Sequence, residues 1–312
     1  MLDLSIGMSE EVQRLIDLSR GGLTHVNLGI VEKDLYRIFP FQSYPTLNRR
    51  FEKITRLTIN RSILGSNQRL TDPSYLGAPP EKFINNYGRA NYPNNSVFYG
   101  TFDRLTILNE LKPQIGDLIT ITEWVPKDPT FEMVCCAIFK NWELYNGSIN
   151  VEMRIIADDY EEALKRFSIV QATQVDLLNQ FVADEFTKPV DRVNSSNYFF
   201  SAYFAKRIFE EMRDMDGRRI DAILYPSVAM RGSFNNIAAQ PNTIYKNYEI
   251  SKVSDCVIVQ VPSLESKGHF MHGIGETNYP AILDDRINWK ETYFQPAEDL
   301  KYFVEEFDIK LF

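Results

Sequence analysis

The sequence predicts an α+β fold, and three observations support this class. Short runs rich in β-branched residues alternate between apolar and polar side chains, as half-buried strands do. Longer segments carry apolar residues at the three- and four-residue spacing of amphipathic helices. We find no internal repeat and no low-complexity linker along the 312 residues, so one composite domain with terminal extensions is the simplest arrangement.

The helices are predicted from apolar periodicity between capping and stop signals. The first has Ser9 as a plausible N-cap, Val12, Leu15 and Ile16 on one face, and Gly21-Gly22 as its stop. Asp103 is the expected N-cap of the third, which ends before Pro113. The predicted helices cover residues 9–20, 31–38, 103–112, 158–186 and 196–214.

The strands are predicted from alternation and β-branched content, beginning with the ITRLTINRSI run at 54–63. Between the first two strands, residues 64–96 are rich in Gly, Pro, Asn and Tyr. Irregular loops longer than about 15 residues in folded domains are usually functional or disordered, and the aromatic content of this loop favours function. The predicted strands cover residues 54–63, 97–99, 118–125, 132–140, 150–156, 221–225, 243–250 and 254–262.

The composition excludes several classes of protein. A net charge of −8 argues against a nucleic-acid-binding protein, which needs a basic face to neutralise phosphates. No run of about 18 apolar residues predicts a membrane span, and the N-terminus lacks the pattern of a signal peptide. The cysteines Cys135, Cys136 and Cys256 are few, odd in number and without metal-ligand spacing, which indicates a reducing compartment. We therefore expect a cytoplasmic protein.

Common catalytic motifs are missing from the sequence. It has no phosphate-binding glycine loop, no dinucleotide-binding glycine pattern, no nucleophile elbow and no zinc-protease motif. His269 and His272, with Glu276, have a spacing that can meet a metal, but a loop with surface polar groups explains them equally well. We predict no metal site.

A set of polar residues that occur together, in order along the chain, suggests a site instead. Arg61 leaves the predicted strand at 54–63 near its end, Arg89 lies in the Gly88–Pro93 stretch of the long loop, and Glu110 lies on the next helix. Far downstream, Ser227 follows the strand at 221–225, and Pro226 directs the chain after it. Each residue alone has an ordinary structural explanation, and the indication of function comes from their occurrence together.

These residues belong to motifs that resemble the RES domain family. The motifs are Leu76-Gly77-Ala78-Pro79-Pro80, Gly88-Arg89-Ala90-Asn91-Tyr92-Pro93, Val97-Phe98-Tyr99-Gly100, Glu110, Tyr225-Pro226-Ser227-Val228 and Asn236-Ile237-Ala238. The resemblance covers roughly residues 54–262. It implies three segments: an N-terminal helical extension at 1–53, a RES-like catalytic domain at 54–262 and a C-terminal extension at 263–312. Gly100-Thr101 departs from the family, which usually has a small residue or alanine there.

The resemblance implies a fold similar to the ADP-ribosyltransferases, with a mixed, mostly antiparallel sheet and flanking helices. It implies that NAD⁺ is the substrate, cleaved at the nicotinamide–ribose bond by phosphorolysis or hydrolysis, or used for ADP-ribosyl transfer. The implied catalytic residues are Arg61, Glu110 and Ser227, and the NAD-binding residues are expected to include Arg89 and Asn236. The ring of Tyr99, Tyr75 or Tyr87 is expected to stack on nicotinamide, which is cationic in NAD⁺ and is attracted to an aromatic face. Family members include toxins, so an Xre-type helix-turn-helix antitoxin is an implied partner, and a homodimer is a further expectation.

The roles agree with elementary chemistry. Guanidinium groups recognise a pyrophosphate through paired hydrogen bonds, and a carboxylate stabilises the ribosyl cation that develops as the bond breaks. Arg37, Arg56 and Arg61 are all candidates for the family arginine, and Arg61 is favoured by its distance to Pro79-Pro80. The alternative function is a RES-like domain that binds a nucleotide or partner without turnover.

Overall fold

The computed structural model describes residues 4–23, 26–39, 44–139, 151–190, 192–227, 236–263, 268–278, 282–283, 286–291 and 297–311. Within them the chain divides into two units, each assembled from three separate segments. The first unit comprises Met1–Arg49, Pro80–Val97 and Glu132–Gln240, and the second comprises Arg50–Pro79, Phe98–Phe131 and Pro241–Phe312. The division does not follow the segment boundaries expected at residues 53 and 262.

The described helices and strands alternate along the chain. The helices are α1 (Leu4–Gly21), α2 (Leu28–Ile38), α3 (Asn60–Leu64), α4 (Arg104–Leu111), α5 (Val151–Leu164), α6 (Ile169–Thr187), α7 (Phe199–Glu211), α8 (Pro241–Asn247) and α9 (Ala297–Glu306). The strands are β1 (Thr46–Arg49), β2 (Ile54–Ile59), β3 (Phe98–Thr101), β4 (Leu118–Pro126), β5 (Met133–Ala137), β6 (Ala222–Tyr225), β7 (Asn236–Ala239), β8 (Tyr248–Gln260), β9 (Phe270–Asn278), β10 (Ile282–Leu283), β11 (Arg286–Ile287) and β12 (Lys290–Glu291).

The first unit contains the strands β1, β5, β6 and β7, adjacent in that order. The β1–β5 and β6–β7 pairs are antiparallel, whereas β5 and β6 are parallel. Every residue of β5, β6 and β7 is buried, which explains why these strands lack polar alternation. A parallel pair needs a long crossover, and here the chain between β5 and β6 contains α5, α6 and α7.

The helices of the first unit correct three expectations. Ser9 is not an N-cap, because α1 begins at Leu4 and Ser9 lies inside it. The predicted helix at 158–186 is two helices, because Ser168 caps α6 in a capping box with Gln171. The predicted strand at 150–156 is wrong, since Val151 begins α5 and the residues that follow are helical. Helix α1 packs on α6, so residues 4–21 belong to the packing of this unit.

The second unit contains an antiparallel set of strands in the order β3-β2-β4-β8-β9-β12. Helix α4 packs Ile107 and Leu108 against apolar side chains of β2, β4 and β8. A second cluster joins Leu118, Val257 and Ile274 to apolar residues at 303–311. The apolar faces of α4 and of the C-terminal segment thus cover this set of strands.

A buried ion pair lies inside the second unit. Arg69 Nε donates to Asp255 Oδ2 at 2.6 Å, and both side chains are almost completely buried. The indole of Trp289 lies 5.0 Å from the Arg69 guanidinium carbon. Gly275 leaves the space that the pair occupies, because a Cβ there would lie 2.7 Å from both Arg69 Nη2 and Asp255 Oδ1.

Two further strand predictions are wrong in part. The strand predicted at 54–63 ends at Ile59, because Asn60 begins α3. The strand predicted at 243–250 is mostly helix: Pro241 begins α8, and β8 starts only at Tyr248. The coarser prediction is confirmed, since the protein combines helices with mostly antiparallel strands. No helix within the described ranges is both long and apolar enough to cross a bilayer.

Candidate functional site

Arg56 extends from β2 in the second unit, next to the short strand β3. Its Nη1 donates to the backbone carbonyl of Tyr99 at 3.0 Å, and its guanidinium carbon lies 5.6 Å from the centre of the Phe98 ring. The side chain as a whole is half-buried. Its position follows from the antiparallel pairing of β2 with β3, where Thr55 is opposite Thr101.

The electrostatic surroundings of Arg56 are unusual for an arginine. Its Nε is buried and has no hydrogen-bond partner among the described residues. Burial lowers the pKa of Arg56 to about 10, and the hydroxyls of Tyr245 and Tyr99 partly oppose this. The group is therefore still charged at neutral pH, and no described carboxylate contributes to its pKa. A cation that is partly withdrawn from water without an acidic partner is suited to bind an anion.

Aromatic side chains surround this arginine. The Phe98 ring is 5.5 Å from Trp124 in an edge-to-face arrangement, and Trp124 is 6.1 Å from Tyr245. We refer to Arg56, Phe98, Tyr99, Trp124 and Tyr245 as the Arg56 cluster. Tyr245 and Trp124 were not predicted from the sequence. Tyr245 was hidden in a segment predicted as strand, and Trp124 lies in a strand whose apolar residues indicated only a core.

The Leu76–Pro79 motif contacts this cluster through Tyr245. The Ala78 N–H donates to the Tyr245 hydroxyl at 2.9 Å. A Cβ at Gly77 would lie 2.5 Å from the same hydroxyl oxygen, so no larger residue fits there without displacing Tyr245. The glycine of the motif is explained by this close approach.

Arg61 has a different environment from the one expected. It lies on α3, its side chain is 52% exposed, and its Nη1 is 3.8 Å from Asp117 Oδ1. The expectation that Arg61 leaves a strand is therefore wrong. Arg37 lies on α2 and forms an exposed ion pair with Glu11 at 2.9 Å. Of the three candidate arginines, Arg56 alone is on a strand and shielded from water.

Glu110 is the penultimate residue of α4 and is half-buried. The expected N-cap is confirmed, because Asp103 Oδ1 accepts from the Thr106 N–H at 2.8 Å. This cap and the buried Ile107 fix the rotation of the helix. Glu110 belongs to the same unit as the Arg56 cluster.

Arg89 lies in the first unit, on a turn closed by hydrogen bonds between Gly88 and Asn91. Its guanidinium donates to the carbonyls of Glu185, Phe186 and Lys188 at the C-terminal end of α6. It also lies 5.1 Å from the Tyr198 ring. A guanidinium placed in this way caps the helix and complements its dipole. Arg89 therefore already has a structural role as a helix cap, and the same guanidinium N–H groups would be needed for the predicted pyrophosphate binding.

Ser227 and Asn236 lie on either side of residues 228–235 in the sequence of the first unit. Ser227 follows β6 and Asn236 begins β7, and both side chains are buried. Asn236 is paired with Tyr225 in the antiparallel register. Residues 228–235, including Val228 of the Tyr225–Val228 motif, lie outside the described residues.

The remaining predicted residues are engaged in packing. Tyr75 packs against Leu70, Leu76 and neighbouring apolar residues of the second unit. Tyr87 lies 5.1 Å from Tyr92 and 5.8 Å from Phe199 in the first unit. Neither arrangement resembles an open stacking face, whereas Tyr99 is half-buried beside Arg56.

The two histidines considered for a metal site belong to β9 and the residue before it. The His272 ring packs 4.5 Å from Phe303, and burial lowers the pKa of His269. Within the described part of the chain, no three His, Cys, Asp or Glu side chains converge in a way that could hold a metal ion.

Comparison with known proteins gives no family-model match and no match to a curated protein. The family resemblance accordingly depends on the motif residues themselves. The structure also separates the three candidate arginines. Arg56 lies on a strand and is half-buried, whereas Arg61 and Arg37 lie on helices and have exposed side chains.

Proposed function

We propose that the protein is a RES-type enzyme with an ADP-ribosyltransferase-like fold that binds NAD⁺ and cleaves its nicotinamide–ribose bond. The observation that carries this proposal is the environment of Arg56. A partly buried guanidinium with an unpartnered Nε, and with no described carboxylate acting on its pKa, is suited to a pyrophosphate. In this assignment Arg56, rather than Arg61, is the family arginine.

The proposed reaction breaks the bond between ribose C1′ and the nicotinamide nitrogen. The bonding electron pair stays with nicotinamide, which leaves as a neutral molecule, and positive charge develops on the ribose. Glu110 would stabilise that charge, as a carboxylate does in glycoside cleavage. Water as the acceptor yields ADP-ribose and a proton, whereas inorganic phosphate yields the 1-phosphate ester of the same sugar. A protein or small-molecule acceptor would make the enzyme a transferase.

Ser227 and Asn236 are proposed to position the ribose or the nicotinamide amide. Their burial on either side of residues 228–235 is compatible with holding a fixed polar group. The family resemblance alone supports a toxin role in the cytoplasm, an Xre-type antitoxin partner and a homodimer.

The second candidate function is nucleotide binding without turnover. One observation favours it: Arg89, expected to share the pyrophosphate, already donates to three carbonyls of the first unit. A site that uses Arg56 without Arg89 could retain binding while lacking the precise positioning that catalysis requires.

The test is nicotinamide release from NAD⁺ by the purified protein, measured by chromatography with and without inorganic phosphate. We expect release by the wild type and a loss of about 100-fold or more in Glu110→Gln, as for removal of one stabilising group. Arg56→Gln should lose activity similarly. Arg61→Gln is the matched control and should stay within about two-fold of the wild type, because its side chain is exposed.

Each outcome has a distinct meaning. No release by the wild type under either condition would favour the binding function. Full activity of Glu110→Gln would contradict the proposed role of Glu110. A loss of nicotinamide release in Arg61→Gln but not in Arg56→Gln would identify Arg61, and not Arg56, as the family arginine. Far-UV circular dichroism and the melting temperature of Arg56→Gln separate a catalytic loss from a folding defect.

A further inference from the structure

Tyr245 combines an exposed ring with a fixed hydroxyl. It lies on α8 and 45% of the residue is exposed. Its hydroxyl accepts the Ala78 N–H at 2.9 Å and lies 3.4 Å from the Ala78 carbonyl, to which it can donate. An exposed tyrosine on a short helix is usually free to change rotamer, but this ring is held at its outer end.

The helix that carries Tyr245 is also held. Lys127 Nζ donates to the backbone carbonyls of Tyr245 and Lys246 at 2.9 and 3.2 Å. A cation at this position satisfies carbonyls at the C-terminal end of a helix. Both the backbone and the hydroxyl of Tyr245 are therefore fixed by other parts of the second unit.

The ring continues the aromatic row that begins at Arg56. The guanidinium lies over Phe98, the Phe98 ring contacts Trp124, and Trp124 contacts Tyr245. The Arg56 cluster thus combines a cation with a partly exposed aromatic ring that hydrogen bonds hold in place. A nucleotide has the same two features, an anionic phosphate group and a planar heteroaromatic ring.

We propose that Tyr245 is the stacking face for a heteroaromatic ring of the nucleotide whose phosphates bind Arg56. This inference rests on the proposed function and replaces Tyr75 and Tyr87 as the stacking residues. Stacking on an aromatic side chain does not depend on the identity of the base, so adenine and nicotinamide are both suitable. The Gly77-Ala78 pair acts through Tyr245 as a positioning element.

The test compares ligands that contain or lack a ring, by calorimetry on the full chain. The probes are ADP-ribose for adenine, nicotinamide mononucleotide for nicotinamide, and inorganic pyrophosphate for the anion alone. In Tyr245→Ala we expect the affinity for at least one nucleotide to fall about 5- to 150-fold, the range for loss of one stacked base. Pyrophosphate affinity should be unchanged, which a general structural defect would not allow.

Two further variants provide the controls. Tyr245→Phe keeps the ring and should stay within about three-fold of the wild type, an effect no larger than one lost neutral hydrogen bond. Tyr302→Ala removes another exposed tyrosine of the same unit and should leave all three affinities unchanged.

The outcomes separate this inference from the proposed function. If the wild type binds neither nucleotide nor pyrophosphate, the proposed function fails and the inference fails with it. If the wild type binds nucleotides and Tyr245→Ala binds them equally well, the stacking role alone is overturned. An equal loss of nucleotide and pyrophosphate affinity in Tyr245→Ala also overturns it, because the ring then supports the anion site and not the base.

Discussion

Replacement of Arg89 by alanine is predicted to destabilise the protein, because Arg89 caps α6. The guanidinium donates to three carbonyls at the end of this helix, of which the Phe186 contact is the shortest. Hydrogen bonds to charged groups contribute about 1.5–3 kcal/mol in protected sites. Two of these contacts are long, at 3.3 and 3.4 Å, and the side chain is half-exposed, so we count the Phe186 bond as the main one.

Two weaker interactions add to this bond. A cation at a helix C-terminus contributes about 0.3–1 kcal/mol at an exposed site, and a cation over an aromatic ring about 0.5–1 kcal/mol. Solvent screening reduces all of these contributions, so Arg89→Ala should lower the free energy of unfolding by about 2–3 kcal/mol. Urea unfolding followed by far-UV circular dichroism measures the change. Arg89→Lys keeps the charge but cannot reach several carbonyls at once, and should recover part of the loss.

The control for this prediction is an exposed arginine of the same unit. Arg14 pairs with Asp34 at 2.9 Å on the surface, and Arg14→Ala should change stability by less than about 1 kcal/mol. If Arg89→Ala unfolds within about 0.5 kcal/mol of the wild type, the capping argument is refuted. Unchanged stability together with weaker pyrophosphate binding would instead support the ligand-binding role.

Two other predictions concern Gly275 and the three cysteines. Gly275→Ala should lower the free energy of unfolding by about 3–5 kcal/mol, because the added Cβ would force apart the buried Arg69–Asp255 pair. A melting temperature equal to that of the wild type would show that the pair can move aside. Cys135, Cys136 and Cys256 are buried and form no disulfide within the described part of the chain, and burial raises the pKa of Cys256 to about 12. A thiol-specific disulfide reagent at pH 8 should therefore react with all three only after denaturation, and rapid reaction of the native protein would contradict this.

Elements with strong local signals were predictable from the sequence. The alternation in β2 and β4 and the Asp103 cap of α4 determine structure within a few neighbouring residues. The change from strand to helix after β2 was not predictable, because it depends on hydrogen bonds to residues elsewhere in the sequence. Asn60 donates to the Gln68 carbonyl and accepts from the Thr120 hydroxyl, and these bonds stabilise the helical turn that carries Arg61. Because this turn ends the strand before Arg61 and leaves the Arg61 side chain exposed, it is the reason for preferring Arg56.

The segments misassigned as strand share a second cause. Residues 243–250 contain β-branched and aromatic side chains that favour a strand, yet the first five belong to α8. Proline is favoured at the first turn of a helix, and Lys127 satisfies carbonyls at the other end. Helix α8 is thus stabilised by a side chain more than one hundred residues away in sequence, which no local pattern indicates. Tyr245, the proposed stacking residue, was missed for the same reason.

The division of the chain into alternating segments has a consequence for synthesis and truncation. The chain passes from one unit to the other after residues 49, 79, 97, 131 and 240. Strand β8, which pairs with both β4 and β9, is synthesised only after every segment of the first unit. Neither unit can therefore be released as a folded fragment by a single cut. A nascent chain that stops before residue 240 would expose the apolar face of β4, and would need a chaperone or rapid completion to avoid aggregation.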